Sequence, residues 1–246
     1  MGQPFLSVVI PAYNESLRLG KSLEKIRRYM KSKDFPSELI VVDDGSVDGT
    51  PDLLREAATR FAAMRVVRND PNRGKGFSVR RGVLEARGEF VLFTDADLSA
   101  PIEDADKPLE ALQSSEADAA VGSRALDSKL VGIHQSWLRE HAGRLFNLLV
   151  RLITGLEIRD TQCGLKLFRR SRTRRAFELQ RSTGFGFDPE VLFLIQHLGG
   201  KLVEVPVRWN DDPATKVRLL RDSAEMFIDL VRLRWRAWTG LYSGGE

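Results

Sequence analysis

The sequence predicts an α/β fold, with a mostly parallel sheet flanked by helices, in a single domain. Three observations carry that prediction. Short runs rich in β-branched residues recur through the first half, amphipathic stretches at helical spacing separate them, and polar clusters follow Ile10, Val42 and Phe93, where the runs end. Strand and helix alternating at this spacing build parallel βαβ units. In such sheets ligands gather at the carboxyl ends of the strands.

Taken in order, Leu6 to Ile10 is a strand ended by Pro11, and residues 15–31 place Leu17, Leu19, Leu23, Ile26 and Met30 at roughly helical spacing. Leu39 to Val42 is a second strand. A helix over 51–63 has Pro51 in its first turn, where the missing N–H costs nothing. Arg65 to Val67 is a short strand, 76–87 a helix stopped by Gly88, Glu89 to Phe93 a strand, 103–113 a helix and 118–122 a strand. The second half is less regular. It offers an amphipathic helix over 138–154, a short helix from Phe187 to Leu198, a strand from Lys201 to Val207 and a long helix over 217–238 rich in Arg and Trp. Neither a repeat nor a linker divides the chain.

The 246 residues are 42% apolar, enough for a sizeable core, and the 29% charged fraction is ordinary for a soluble globular protein. A disordered, collagen-like or disulfide-scaffold chain is excluded. The one cysteine, Cys163, forms no internal bridge, which fits a cytoplasmic protein. The N-terminus lacks the basic and apolar segments of a signal peptide, and no window of about 18 residues is free of charge, so no spanning helix is expected. The net charge of +4 is unevenly spread: residues 124–182 carry +8, against −3 for 1–123 and −1 for 183–246. The middle of the chain therefore expects an anionic partner. Nucleic acid is disfavoured, because the basic residues belong to no recognition module and aromatics do not interleave with them.

Four constellations carry chemistry. Thr94-Asp95-Ala96-Asp97 follows an apolar strand, where two carboxylates at i and i+2 can turn toward one hard cation; the bland alternative is a solvated acidic turn. Asp43-Asp44-Gly45-Ser46 puts two acids after another strand, as partners for a ribose or base or as an Asx turn leading into Thr50-Pro51. Asn72-Arg73-Gly74-Lys75-Gly76 lets the backbone approach closely and offers Lys75 to a phosphate, without the spacing of a P-loop. Pro11-Ala12-Tyr13-Asn14-Glu15 presents an aromatic for stacking and a carboxylate, or ends a strand and caps a helix through Asn14.

In this order, SVVIPAYNE, ELIVVDDGSVDGT, NRGKG and VLFTDADLS resemble the family 2 glycosyltransferases of the GT-A fold. Gly122-Ser123-Arg124, the string from Arg159 to Phe168 and Phe185-Gly186-Phe187-Asp188-Pro189-Glu190 resemble the polyprenyl-phosphate branch. The RDTQCG-x-KLF string is most similar to the dolichyl-phosphate glucosyltransferases, with the mannose synthases close. The resemblance implies inverting transfer of a sugar from a nucleoside-diphosphate sugar, UDP-glucose before GDP-mannose, to a polyprenyl phosphate, with Mg²⁺ or Mn²⁺. It assigns residues 1–123 to the nucleotide sugar and 124–246 to the acceptor. It places Pro11, Tyr13, Glu15, Asp43, Asp44, Lys75 and Ala96 in the donor pocket, Asp95 and Asp97 at the metal with Asp97 as the preferred direct ligand, and Arg124 near acceptor or donor phosphates. One departure stands out. Where mannose synthases often carry a Gln two positions after the second Asp, this chain has Ser99, which favours glucose and leaves the metal fewer protein ligands.

The chemistry agrees. A divalent ion stabilises a departing diphosphate, and a phosphomonoester acceptor is already an anion, so no general base is required. His134, His141 and His197 are scattered accordingly, and Cys163 reads as a small buried side chain. Gln162 is a candidate contact to donor sugar or acceptor. Arg124, Arg139 and Arg144 are candidate cations for the acceptor. A hydroxyl acceptor would need a base, for which Asp188 is the candidate; its alternative is a helix cap before Pro189. Segments 138–155 and 227–242 combine aliphatic or Trp faces with Arg, as in a helix that meets a membrane transiently; packing on the domain is the alternative.

Overall fold

The computed structural model describes residues 2–133, 137–210 and 219–242, with backbone alone at 128, 133, 137–142, 144 and 219–223. In chain order the elements are β1 (Leu6–Ala12), α1 (Leu19–Lys31), β2 (Ser37–Asp43), α2 (Thr50–Arg60), β3 (Met64–Arg68), α3 (Lys75–Glu85), β4 (Phe90–Thr94), α4 (Asp106–Ser114), β5 (Ala119–Ser123), β6 (Val131–Ile133), α5 (Trp137–Thr154), β7 (Leu165–Arg169), α6 (Arg170–Leu179), α7 (Phe187–His197), β8 (Leu202–Pro206), β9 (Trp209–Asn210) and α8 (Leu219–Trp238).

Seven strands form one sheet in the order β3-β2-β1-β4-β7-β5-β8, and β6 pairs with β9 in a separate ribbon. All pairs in the large sheet are parallel except those of β7, which runs antiparallel between β4 and β5. The chain moves outward from β1 through β2 to β3, then returns to place β4 on β1's other side. The order thus reverses between β1 and β4, which is where an open α/β sheet forms its ligand crevice.

Apolar residues occupy successive strand positions because both sheet faces are covered. Val8, Ile10, Leu39, Val41 and Leu92 face one core with Leu23 and Ile26 of α1 and Leu112 of α4. Val9, Ile40, Val42, Val91 and Phe93 face the other, with Val79 and Val83 of α3, Leu192 of α7 and Leu230 of α8.

Several boundaries differ from expectation. β1 continues through Pro11 to Ala12, because pairing with β4 has already ended at Val9 and Pro11 lies beside β2 alone. The helix expected from residue 15 begins at Leu19. Asn14 does not cap it: at φ +53° its backbone N–H donates to Ser46 Oγ and its side-chain oxygen accepts from Val47 N–H, both at 2.9 Å. β6, β7, α6 and β9 were not expected. β7 carries Lys166 inside an apolar run, and α6 begins directly at its end with Arg170, without a turn residue between.

Candidate functional site

The polar clusters converge at the carboxyl ends of β1, β2, β4 and β5. Beyond β1, Tyr13 is 40% exposed, while Glu15 is buried and receives Arg18 Nη2 at 2.9 Å. Arg18 also lies 3.9 Å from Asp97, tying the β1 loop to the β4 loop. Beyond β2, buried Asp43 is bonded by Arg68 and accepts the Ser46 N–H at 3.0 Å. The neighbouring Asp44 is a clamp. Its carboxylate accepts from Asn69 Nδ2 (2.7 Å) and from the N–H groups of Arg73 (2.9 Å) and Gly74 (2.8 Å), while Asn72 donates to its carbonyl. Three of the four lone-pair sites are thereby used on the loop that carries Lys75. Gly74 sits at φ +95° with Thr183 O 2.5 Å from where a Cβ would be, so the loop takes this path only with glycine there.

Held by that loop, Lys75 bonds Asp95 Oδ1 at 2.7 Å and lies over the rings of Phe93 and Phe185. Burial works against its charge, but Asp95 and Asp188 outweigh it and raise the ammonium above its ordinary value. Asp97 is also shifted up, first by burial and then by the Asp95 charge, against the Ser99 N–H, Arg18 and Lys75. Two carboxylates pressed together in this way invite a cation.

Their surroundings fit a hard divalent ion. Both side chains offer oxygen donors, and Gly164 leaves the space in which Asp95 turns: a Cβ there would stand 2.1 Å from Asp95 Oδ2. Among the described residues no group of three or more His, Cys, Asp or Glu is arranged around a metal. Two carboxylates completed by phosphate oxygens and water is the set that Mg²⁺ accepts.

On the other flank, Arg124 follows β5. Its Nε and Nη2 donate to Asp160 at 2.7 and 2.8 Å, and its guanidinium lies over Trp209. Burial pushes Asp160 up, but Arg124 outweighs it and holds the carboxyl below its ordinary range. Asp188, in the first turn of α7, is buried and bonded to Lys166 at 2.5 Å. Asp160, Lys166 and Arg18 received no role from the sequence. A lysine between Leu165 and Leu167 in an apolar strand was the available signal for Lys166; Arg18 had none. Glu190, at the end of the same motif as Asp188, is fully buried and accepts from the N–H groups of Arg181 and Ser182 and from the Tyr242 hydroxyl. It ties α7 to the segment that precedes the helix and to Tyr242 near the C-terminus.

Cys163 is buried, and burial pushes its thiol up to about 12, so it is inert. His197 stacks on Phe193 within α7. His134 and the side chains of Arg139, His141 and Arg144 lie outside the described residues.

The model of the glycosyl transferase family 2 domain matches residues 7–177. A dolichyl-phosphate beta-glucosyltransferase of Dictyostelium discoideum is 34% identical over 97% of this chain and 76% of its own length. The protein of the same name from Homo sapiens is 32% identical over 96% and 77%. Among solved structures, Mycobacterium tuberculosis glucosyl-3-phosphoglycerate synthase in complex with Mn²⁺, UDP-glucose and glycerol 3-phosphate superposes with a TM-score of 0.67, covering 94% of this chain and 80% of that one at 20% identity. That likeness carries the fold, which is GT-A. The family match over more than half of the chain, together with relatives of this identity and coverage, shows that the protein belongs to glycosyl transferase family 2.

Proposed function

We propose that the protein transfers a hexose, with inversion, from a nucleoside-diphosphate sugar to a polyprenyl phosphate, with UDP-glucose the preferred donor and GDP-mannose the next. The observation that carries this reading is the cluster at the sheet's switch point: Asp95 and Asp97 in succession after β4, with Lys75 2.7 Å from Asp95 and Arg18 3.9 Å from Asp97. The glucosyl choice is supported by the names of the relatives and by Ser99, which stands in place of a ligating Gln and contacts Asp97 through its backbone N–H at 3.0 Å.

In this reading residues 1–123 hold the donor and 124–246 the acceptor. Tyr13, Glu15, Asp43 and the backbone at Pro11 and Ala96 surround the nucleoside, and Asp44 acts by locking the Lys75 loop. Asp95 and Asp97 hold Mg²⁺ or Mn²⁺, which when bound supplies the positive charge that eases departure of the diphosphate. Lys75 exchanges its bond to Asp95 for a diphosphate oxygen. Arg124, oriented by Asp160, presents charge to the acceptor phosphate, which attacks as an anion and needs no proton removed.

The acceptor lies in a membrane, and the protein meets it peripherally on the cytoplasmic face. No described helix is long and apolar enough to cross a bilayer. Leu145, Leu148 and Leu152 of α5 and Phe227, Val231, Trp235 and Trp238 of α8 are exposed along one face of each helix, with Trp238 85% exposed. Arg151, Arg232 and Arg234 flank them. Cosedimentation with anionic liposomes tests this; no binding at low or moderate salt overturns it.

Calorimetry with Mn²⁺ across a panel of nucleotide sugars, on the wild type and Asp97→Ala, tests the donor. Metal-dependent binding of UDP-glucose, lost in the variant, is expected. The same behaviour with GDP-mannose moves the enzyme to the mannosyl branch, and no binding of any donor overturns the reading.

A further inference from the structure

Lys166 and Asp188 form an ion pair outside the carboxylate cluster assigned to the metal. Lys166 stands in the middle of β7, opposite Phe93 of β4 in the antiparallel ladder. Its side chain is 2% exposed and that of Asp188 5%. The ammonium donates to Asp188 Oδ1 at 2.5 Å and to Cys163 O at 2.6 Å, and lies 5.5 Å from the Phe93 ring. Asp188 and Lys75 act on each other's charge, and Asp95 acts on Asp188, so Asp188 adjoins the diphosphate end of the site. An ion pair this deep seldom stabilises a fold more than well-packed apolar residues would. Its presence beside the cleft calls for another reason.

That reason is the other carboxylate oxygen. Asp188 Oδ2 makes no hydrogen bond to any described residue, while Oδ1 is fixed by Lys166. Burial pushes the Asp188 carboxyl up, against Lys166 and Lys75. Paired with the Lys166 ammonium at 2.5 Å it acts as a carboxylate, which only accepts hydrogen bonds. The diphosphate and the acceptor phosphate are anions and would be repelled. A prenyl chain offers no donor. The one component of the reaction that brings O–H donors to this position is the transferred sugar.

We infer that Asp188, aimed by Lys166, accepts a hydrogen bond from a hydroxyl of the transferred hexose and so selects and orients the donor sugar. This rests on the proposed transfer from a nucleoside-diphosphate sugar. Asp188 is a donor-binding residue contributed by the acceptor half, so the sugar end of the donor reaches beyond residues 1–123, and Lys166 is a positioning residue.

The test compares UDP with UDP-glucose in calorimetry with Mn²⁺, on the wild type, Asp188→Asn, Lys166→Met and Lys166→Arg. If the wild type binds GDP-mannose instead, the comparison is GDP with GDP-mannose. A charge-assisted hydrogen bond predicts a fall of about 10- to 100-fold in nucleotide-sugar affinity for Asp188→Asn, with nucleotide affinity within about twofold. Lys166→Met falls in the same direction, and Lys166→Arg restores part of the loss. On the wild type, one donor analogue lacking a single hydroxyl loses as much, and Asp188→Asn loses nothing further with it. Nucleotide-sugar binding unchanged in Asp188→Asn overturns the inference alone. So does an equal fall for nucleotide and nucleotide sugar, which marks a structural role. Binding intact with turnover abolished also overturns it, and makes Asp188 a base for a hydroxyl acceptor. If the wild type binds no nucleotide sugar, the functional reading falls first and the inference with it.

Discussion

Replacing Gly164 with alanine should disable the cation site while leaving the fold standing. The added Cβ would lie 2.1 Å from Asp95 Oδ2, 2.8 Å from Cγ and 3.3 Å from Cβ, well inside the ~3.5 Å at which non-bonded carbons begin to attract. Every one of these atoms belongs to the Asp95 side chain, so the clash is relieved by rotating one carboxylate rather than by moving backbone. Rotation removes Asp95 from Lys75, now 2.7 Å away, and from any cation it shares with Asp97. A charge-assisted contact of this kind contributes about 1.5–3 kcal/mol, equivalent to roughly 10- to 150-fold in affinity. The strain relieved by rotation should cost stability no more than about 1 kcal/mol. Calorimetry of Mn²⁺ with UDP, paired with urea unfolding, reads both quantities. Unchanged Mn²⁺–UDP affinity would refute the assignment of Asp95 to the metal. A stability loss above about 3 kcal/mol would show that the β4–β7 backbone, not the carboxylate, takes up the clash.

Gly76→Ala should behave oppositely, because its Cβ would meet Phe187 Cβ at 2.6 Å and the carbonyls of Gly184 and Ser182 at 2.8 Å. With unyielding neighbours, a loss of about 1–3 kcal/mol in urea unfolding is expected. Arg124→Met strands the buried Asp160 carboxylate and should cost about 2–4 kcal/mol at neutral pH, reduced from the fully buried range because Arg124 keeps some exposure. Since Asp160 is held below its ordinary range in the folded state, its pair with Arg124 stabilises above an unfolded value of about 3.9, and that contribution disappears as the pH falls through the lowered folded value. Acid unfolding of Asp160→Asn should therefore show a shallower loss in that window than the wild type; an identical acid limb would remove the pair from the account. Trp238→Glu, at a position 85% exposed, should weaken liposome binding several-fold while changing stability by less than about 0.5 kcal/mol.

Much of the donor half was legible because its signals are local. A buried parallel strand needs an apolar run, and a strand end needs residues that tolerate exposure, so Leu6 to Ile10, Leu39 to Val42 and Phe90 to Phe93 announce themselves together with the acids that follow. The second half hid β7 and α6. The five residues of β7 contain two basic side chains, and its antiparallel placement between β4 and β5 is a long-range event with no local mark. Asn14 misled because the residue that suits a helix cap also tolerates positive φ, and here it clamps the loop after β2.

By itself the sequence determined the α/β class, the order of most elements and the identity of the acids at the strand ends, since each depends on periodicity and residue type within a few positions. Only the tertiary structure decided which charges meet. Lys75 finds Asp95 across 20 residues, Arg124 finds Asp160 across 36 and Lys166 finds Asp188 across 22. It also decided that Asp44 holds a loop and that Gly164 makes room for a carboxylate. Such pairings follow from strand order and helix packing, because Coulombic and steric contacts depend on distance in space, to which separation along the chain is no guide.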